Sequence, residues 1–171
     1  QSISKLLSFE IKKFLFIIIF GFITSEINAQ VPTAVAPQGS GTQDDPYLMS
    51  VPGNFTWIQP NESYSDGVYY LQVNHIDLSA YNWAPLPDFR GDYDGNGFEI
   101  RNLTINRPNE DRVGMFHTIS YSVFKNLTIV NANVTGRDKC GILAYYLREN
   151  QGFKNVFIKV QHSNILDRIQ Y

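Results

Sequence analysis

The chain has 171 residues, a formal charge of -2 and 43% hydrophobic content, which suits one globular domain of ordinary core size and offers no basic excess for nucleic acid. Tyr and Phe number 10 and 12, and this aromatic bias, with many Asn, Thr and Ile residues, favours strands over helices. The single cysteine, Cys140, excludes an internal disulfide, so stability must come from packing and backbone pairing.

At the N-terminus, Lys12-Lys13 precede an unbroken apolar run from Phe14 to Ile23, followed by Thr24-Ser25-Glu26-Ile27-Asn28-Ala29. A basic region, an apolar stretch of this length and a small residue at Ala29 have the form of a secretory signal cleaved before Gln30. The run is too short to span a bilayer, which takes about 20 residues. Residues 1–29 are therefore expected to be an N-terminal extension plus signal peptide, and the protein to be exported, either secreted or held at the cell surface. No Met precedes Met49, so the sequence reads as a piece of a longer protein.

Residues 30–44, rich in Pro, Ala, Gly, Ser and Thr without periodicity, read as a flexible lead. Folding is expected to begin near Asp45, with an apolar run at Pro46-Tyr47-Leu48-Met49. Pro52-Gly53-Asn54 breaks it before Phe55-Thr56-Trp57-Ile58. Asn54 as an N-cap and Pro60 as a stop leave that piece open between a single helical turn and a short strand. From Tyr69 to Ser79 two alternating segments are joined at Asn74-His75, the pattern of strands that turn a corner. His75 is expected to serve that corner through a local hydrogen bond.

Further on, Ile100, Leu103 and Ile105 should face inward with Arg101 and Thr104 outward, so the alternation slips at Asn102. The same slip occurs at Asn126 and at Asn155, and Asn tolerates the left-handed backbone that a sharp corner needs. Asn102-Leu103-Thr104-Ile105 returns as Asn126-Leu127-Thr128-Ile129 and, loosened, as Asn155-Val156-Phe157-Ile158; Val113-Gly114-Met115-Phe116 returns as Cys140-Gly141-Ile142-Leu143. Asn102, Asn126 and Asn155, with Gly114 and Gly141, are thus candidate repeat positions, spaced 24, 29 and 27 residues apart. Such periods mark solenoids. Three short strands per unit and no helix-length pattern predict an all-β, right-handed parallel β-helix of about three coils with an N-terminal capping segment, spanning residues 45–160. The repeated Asn residues should stack as a ladder. Residues 161–171 carry no capping pattern and read as an irregular or truncated end, so further coils of the same polypeptide are expected.

Several of these stretches together resemble the leading coils of GLUG-motif repeat proteins. They are Asp45-Pro46-Tyr47-Leu48, Tyr69-Tyr70-Leu71 with Ile76-Asp77-Leu78-Ser79, Trp83-x-Pro85, Phe89-x-Gly91-x-Tyr93-Asp94-Gly95-Asn96-Gly97, Ile100-x-Asn102-Leu103-x-Ile105 and Gly114-Met115-Phe116. The ending Asn28-Ala29-Gln30 resembles secretory signals of Bacteroidetes. The resemblance implies a bacterial extracellular β-helix, often a stalk or adhesin-like region, and no catalytic residues in this segment. Two departures are His75, where an acid is expected, and Leu147-Arg-Glu-Asn-Gln151, which replaces a small glycine-rich turn.

Asp92-x-Asp94-Gly95-Asn96-Gly97 matches the first half of an EF-hand loop, which makes Asp92, Asp94 and Asn96 weak calcium candidates. The twelfth position is Leu103 rather than Glu, and the flanks read as strands. The favoured reading is a tight turn with Gly95 and Gly97 at positive φ and no cofactor. A polysaccharide lyase or glycosidase is the alternative function, and it would draw on Asp92, Asp94, Asp111, Asp138 and Arg112. Those residues read instead as solvated turns, and a non-catalytic segment is expected. Cys140 reads as a buried small hydrophobe, and His117 and His162 as isolated surface residues. Tyr64, Tyr69, Tyr70, Tyr81, Trp83, Tyr93, Tyr121, Tyr145 and Tyr146 are more aromatics than a coil interior takes. Tyr81, Trp83, Tyr145 and Tyr146 are the candidates for binding a surface glycan or a host or matrix protein, set against a structural role flanking strands.

Overall fold

The computed structural model describes residues 31–62, 67–148 and 152–160. The expected signal peptide, Tyr64, His162 and the irregular end fall outside the described residues. Within them lie thirteen strands and one helix: β1 Tyr47–Met49, α1 Pro52–Glu62, β2 Tyr69–Gln72, β3 Ile76–Asp77, β4 Leu86–Phe89, β5 Asp92–Asp94, β6 Glu99–Arg101, β7 Thr104–Asp111, β8 Phe116–Ile119, β9 Val123–Lys125, β10 Thr128–Asp138, β11 Ala144–Leu147, β12 Gly152–Lys154 and β13 Phe157–Val160.

The strands build three sheets. The first has the order β1-β2-β5-β9-β12, the second β3-β6-β10-β13 with β7 beside β10, and the third β4-β8-β11. The strand pairings are parallel. The all-β expectation therefore holds, with parallel sheets. From β2 onward the strands visit the first, second and third sheets in turn and then return to the first.

In-register parallel pairing sets like side chains opposite like. In the first sheet Tyr47, Tyr70, Tyr93, Phe124 and Phe153 form one cross-strand file. In the second, Ile76, Ile100, Ile129 and Ile158 do the same. The last three rings of the first file lie near-parallel, with centroids 5.7 Å apart for Tyr93 and Phe124 and 5.9 Å for Phe124 and Phe153. Phe89 projects from the third sheet to meet Tyr70, Phe116 and Phe124 at 4.9 to 5.4 Å. Tyr70, Phe89, Tyr93, Phe116 and Phe124 with Ile76, Ile100 and Ile129 and with Leu78, Leu103 and Leu127 are buried in the core. Offset and edge-on ring pairs add about 0.5–1.5 kcal/mol each beyond area burial.

The alternation expected at Ile100, Leu103 and Ile105 is seen, with all three buried and Arg101 and Thr104 half-exposed. In β2 the inward residues are Tyr70 and Gln72, not the more apolar Leu71. Buried Gln72 is fully engaged: its Oε1 accepts from the Tyr93 hydroxyl at 3.0 Å, and its Nε2 donates to the carbonyls of Asn74 and Glu99.

The segment left open between a turn and a strand is a helix of 11 residues that continues past Pro60. Asn54 lies inside it, not at its cap. Its Oδ1 accepts from the amides of Ser50 and Val51, while its Nδ2 donates to the carbonyl of Val35. Phe55 and Ile58 are buried, and the Phe55 ring meets Trp83, Tyr93 and Phe116 at 6.3, 5.9 and 6.4 Å. The helix thus packs Phe55 and Ile58 into the core. The lead expected to be flexible is tied down there as well. Val35 donates to the carbonyl of Gly53, Leu48 donates to that of Gln38 in an antiparallel bridge, and Tyr69 donates to that of Gly41.

Replacing Phe55 with Ala leaves a cavity touching three rings. A loss of about 3–5 kcal/mol is expected, read as a lower urea midpoint at unchanged slope.

Candidate functional site

The corners between sheets carry the polar chemistry of the fold. Asn102, Asn126 and Asn155 have φ of 59, 50 and 55°, so each takes the left-handed corner conformation read from the sequence. Their carboxamides do stack, but in two ladders rather than one. Asn126 Nδ2 donates to Asp94 Oδ1 at 3.0 Å, and Asn155 Nδ2 donates to Asn126 Oδ1 at 3.2 Å. Separately, Asn102 Nδ2 donates to Asp77 Oδ1 at 2.9 Å, and Asn131 Nδ2 donates to Asn102 Oδ1 at 3.2 Å.

Asn102 is therefore not the spatial equivalent of Asn126, although the four-residue motif repeats at both. Ile100 pairs with Ile129, which brings Asn102, at the bend between β6 and β7, opposite Asn131 within β10. Asn126 instead stands where the chain enters the second sheet. The displacement arises in the glycine turn, because Asp94 to Glu99 takes more residues than Lys125 to Thr128 does. Asn131, with φ 56°, is the residue sequence reasoning missed; its signal was its distance of 29 residues from Asn102, the same as from Asn126 to Asn155. Gly114 and Gly141 are also one step out of register: Phe116 pairs with Ala144. A Cβ on Gly114 would lie 3.0 Å from the backbone of Ala144, so its smallness serves close strand approach.

Each ladder begins on a carboxylate, which can only accept. Asp94 Oδ1 also takes the amide of Asn96 at 2.9 Å, and its Oδ2 lies 3.2 Å from Lys125 Nζ. Asp77 Oδ1 also takes the amide of Ser79 at 2.9 Å. Burial acts to raise the Asp94 pKa, but the bonds from Asn126, Asn96 and Lys125 outweigh it and hold the carboxyl below its ordinary value. The hydrogen bond from Asn102, followed by that from Ser79, holds Asp77 low.

These same contacts commit the calcium candidates. Asp94 is shared among three protein donors, and Asp92 Oδ1 accepts from the amide of Val123 at 3.0 Å. Asn96 Nδ2 points to the carbonyl of Gln72 at 3.3 Å. Among the described residues no three His, Cys, Asp or Glu side chains converge as a metal set. The turn itself differs from expectation: Asn96 and Gly97 have positive φ, at 50 and 79°, and Gly95 does not. Gly95 is needed for another reason, since a Cβ there would sit 2.5 Å from the carbonyl oxygen of Asn126.

Of the acids considered for the enzyme reading, Asp111 and Asp138 are register partners across β7 and β10, and each is engaged by a donor of the chain. Asp111 holds Arg137 through paired bonds of 2.7 Å, and Asp138 Oδ1 takes the amide of Lys139 at 2.8 Å. His75 Nδ1 accepts from the Glu99 amide at 3.1 Å, so its corner bond reaches across to the next strand of the sheet rather than staying local. Cys140 is exposed, not buried. Lys139, at φ 54°, turns the chain immediately before it. Partial burial, then the charges of Asp138 and Asp111, push its thiol pKa up, which disfavours the nucleophilic thiolate.

The aromatic candidates divide. Trp83 is fully buried and its indole donates to the carbonyl of Met115 at 3.1 Å, so it belongs to the core. Tyr70 and Tyr93 are interior too. Tyr81 and Tyr69 are half-buried. On β11, Tyr145 is half-buried and Tyr146 is 52% exposed, with ring centroids 6.2 Å apart and planes at 27°. Exposed His117, from β8 in the same sheet, meets the Tyr145 ring edge-on at 5.9 Å. Tyr121, at the corner after β8, is 43% exposed and carries the Arg90 guanidinium 5.3 Å above its ring. The outward cluster His117, Tyr145 and Tyr146 is the candidate binding surface.

Comparison with known proteins gives two partial likenesses. The chain is 38% identical over 120 residues to halomucin of Haloquadratum walsbyi, a match covering 62% of this chain and 1% of that protein. It is 26% identical over 143 residues to a protein described as a Gly-rich membrane protein of Evansella cellulosilytica, covering 77% of this chain and 16% of that one. The chain thus spans a small part of the length of either relative. No protein-family model matches it, and no solved structure does. Among the described residues no helix is long and apolar enough to cross a membrane.

Removing the Asn126 carboxamide with Asn126→Gly, which keeps the left-handed corner, should cost about 1–3 kcal/mol for two hydrogen bonds. Asn126→Val should cost more, because a β-branched residue is strained at that φ; chemical denaturation of both variants orders them. A pH effect follows from the lowered carboxylates. The stability they contribute is fully present above the unfolded value of about 4 and is lost as pH falls through the folded values. The urea midpoint should stay level from about pH 7 to 5 and fall below about pH 4. A variant with Asp77→Asn and Asp94→Asn, which can still accept, should show a shallower acid limb.

Proposed function

We propose that this chain is a non-catalytic extracellular segment of a secreted or cell-surface protein, built as a right-handed parallel β-helix of about three coils with an N-terminal cap, and acting in adhesion through glycan or protein binding. The observation that carries the reading is the repeated, in-register passage through the same three sheets. Connections between parallel strands are right-handed in nearly all proteins, which favours that hand for the coil. Helix α1, with Phe55 against rings of different sheets, is the cap.

Such a coil is stiff along its axis and offers long outer faces for contact. The best aromatic contact surface on those faces is His117, Tyr145 and Tyr146, where exposed rings can stack on a sugar or anchor a protein partner. The resemblance to GLUG-motif repeat proteins supports an extracellular adhesin-like role, as does the Lys12 to Ala29 pattern. The names of the two relatives, halomucin and a Gly-rich membrane protein, fit a surface location.

The test is binding to arrays of glycans and matrix proteins. Tyr145→Ala and Tyr146→Ala should each weaken binding about tenfold or more, equivalent to about 1.4 kcal/mol, without lowering thermal stability by more than a few degrees. Turnover of any polysaccharide by this chain would overturn the non-catalytic reading.

A further inference from the structure

Five Asn-x-Ser/Thr triplets begin at Asn54, Asn61, Asn102, Asn126 and Asn133, the pattern at which an exported chain accepts an N-linked glycan. Four of them lie wholly within the described residues; Asn61-Glu62-Ser63 does not. Transfer needs the Asn Nδ2 and the hydroxyl two residues on to be open, and the attached sugar needs room beside that nitrogen. At three of the four the fold leaves neither. Asn54 is 1% exposed, with Oδ1 and Nδ2 both bonded, and the Thr56 hydroxyl is buried. Asn102 and Asn126 each stand inside a ladder. Their Nδ2 atoms donate at 2.9 and 3.0 Å and their Oδ1 atoms accept at 3.2 Å, so a sugar on either would part the stacked carboxamides.

Asn133 is different. After the bend at Asn131, β10 resumes its alternation: Ala132 is buried, Val134 packs against the core, and Asn133 and Thr135 turn outward, both exposed. Residues i and i+2 of a strand share a face, so the acceptor amide and the hydroxyl of this triplet stand together on one side of the sheet. Neither side chain is bonded to another among the described residues, while the Asn133 backbone amide is fixed by the Leu103 carbonyl at 2.8 Å. Opposite them on β7 are half-exposed Thr104 and exposed Asn106, and the Asn106 amide donates to Asn82 Oδ1 at 2.9 Å. This strip of Asn82, Thr104, Asn106, Asn133 and Thr135 carries carboxamides and hydroxyls, with no charge and no large apolar side chain. It suits a hydrated sugar lying along it better than a protein face docked on it.

We propose that Asn133 is the N-glycosylation site of the folded chain; this rests on the exported reading above. The co-substrate is an oligosaccharide carried on a lipid diphosphate, delivered by an oligosaccharyltransferase of the exporting cell. Asn133 Nδ2 attacks the anomeric carbon and an N–C bond forms. The C–O bond to the diphosphate breaks, the diphosphate leaves with the electron pair, and Nδ2 gives one proton to a base of the transferase. Because the ladders leave no room for a sugar at Asn102 or Asn126, the folded population carries it at Asn133 whether transfer precedes folding or follows it.

The experiment is mass spectrometry of the protein recovered from its own cells, with the exported and intracellular fractions kept apart. Asn126 and Asn133 share the tryptic peptide 126–137, so electron-transfer fragmentation is used to locate the added sugar mass. The exported chain should carry sugar on Asn133 and none on Asn54, Asn102 or Asn126. Asn133→Gln and Thr135→Val should each lose the glycan and Thr135→Ser should keep it, with all three melting within a few degrees of the parent, as substitutions at exposed positions do. An exported chain unmodified at Asn133 overturns the proposal and leaves the exported reading standing, whereas a chain found only inside the cell overturns both. Sugar on Asn102 or Asn126 of the folded chain also overturns it, and so does a glycan that survives Thr135→Val.

Discussion

In-register parallel pairing is the constraint on which the rest depends. When strands stack without reversing, each side chain meets the residue at the same place in the preceding pass, so composition at one position is enforced at the next. The file of Tyr47, Tyr70, Tyr93, Phe124 and Phe153 and the file of four isoleucines are results of that rule. A one-residue slip would turn each inward ring outward and set lysines such as Lys125 against the core. Register is therefore what the sequence must specify most strongly.

The core and the corners specify it by different means. Ring and isoleucine files reward correct stacking but tolerate small displacements, because dispersion is only weakly directional. Carboxamide ladders do not: a 3.2 Å bond from Asn155 to Asn126 exists in one register only. Placing them at left-handed corners, where Asn is among the few residues that fit, makes one residue type serve both backbone conformation and alignment. The cost is that Asp77 and Asp94 must sit at the feet of the ladders as charged acceptors, which makes alignment sensitive to acid.

Much of this was legible in the chain. The strand class, the corner at Asn74-His75, the inward set of Ile100, Leu103 and Ile105 and the left-handed Asn residues all follow from local pattern, and local pattern is what sequence states directly. The spatial partners were less legible, because aligning identical motifs at Asn102 and Asn126 assumes equal turn lengths. The longer glycine turn between Asp94 and Glu99 breaks that assumption, and only pairing across the sheet reveals it. Trp83 and Cys140 exchanged their expected places for a similar reason. A large amphipathic ring can bury its N–H on a distant carbonyl, here Met115, and a small apolar residue is turned outward by the backbone of its neighbour Lys139. For the candidate site, Tyr145 and Tyr146 were nameable from composition, whereas His117 joins them only through sheet pairing.

The packing of Phe55 against Trp83, Tyr93 and Phe116 bears on the order in which the chain acquires structure. Neighbouring strands are separated by tens of residues, from 23 between Tyr47 and Tyr70 to 31 between Tyr93 and Phe124, so each pass can add to the one before without waiting for distant sequence. Synthesis delivers β1 and α1 ahead of β2 to β13, and the ring of Phe55 gives the next passes an apolar wall to condense upon. Assembly can then proceed as growth from a primed end, with every completed pass acting as the template for the next and the entropic cost of closure met in small instalments.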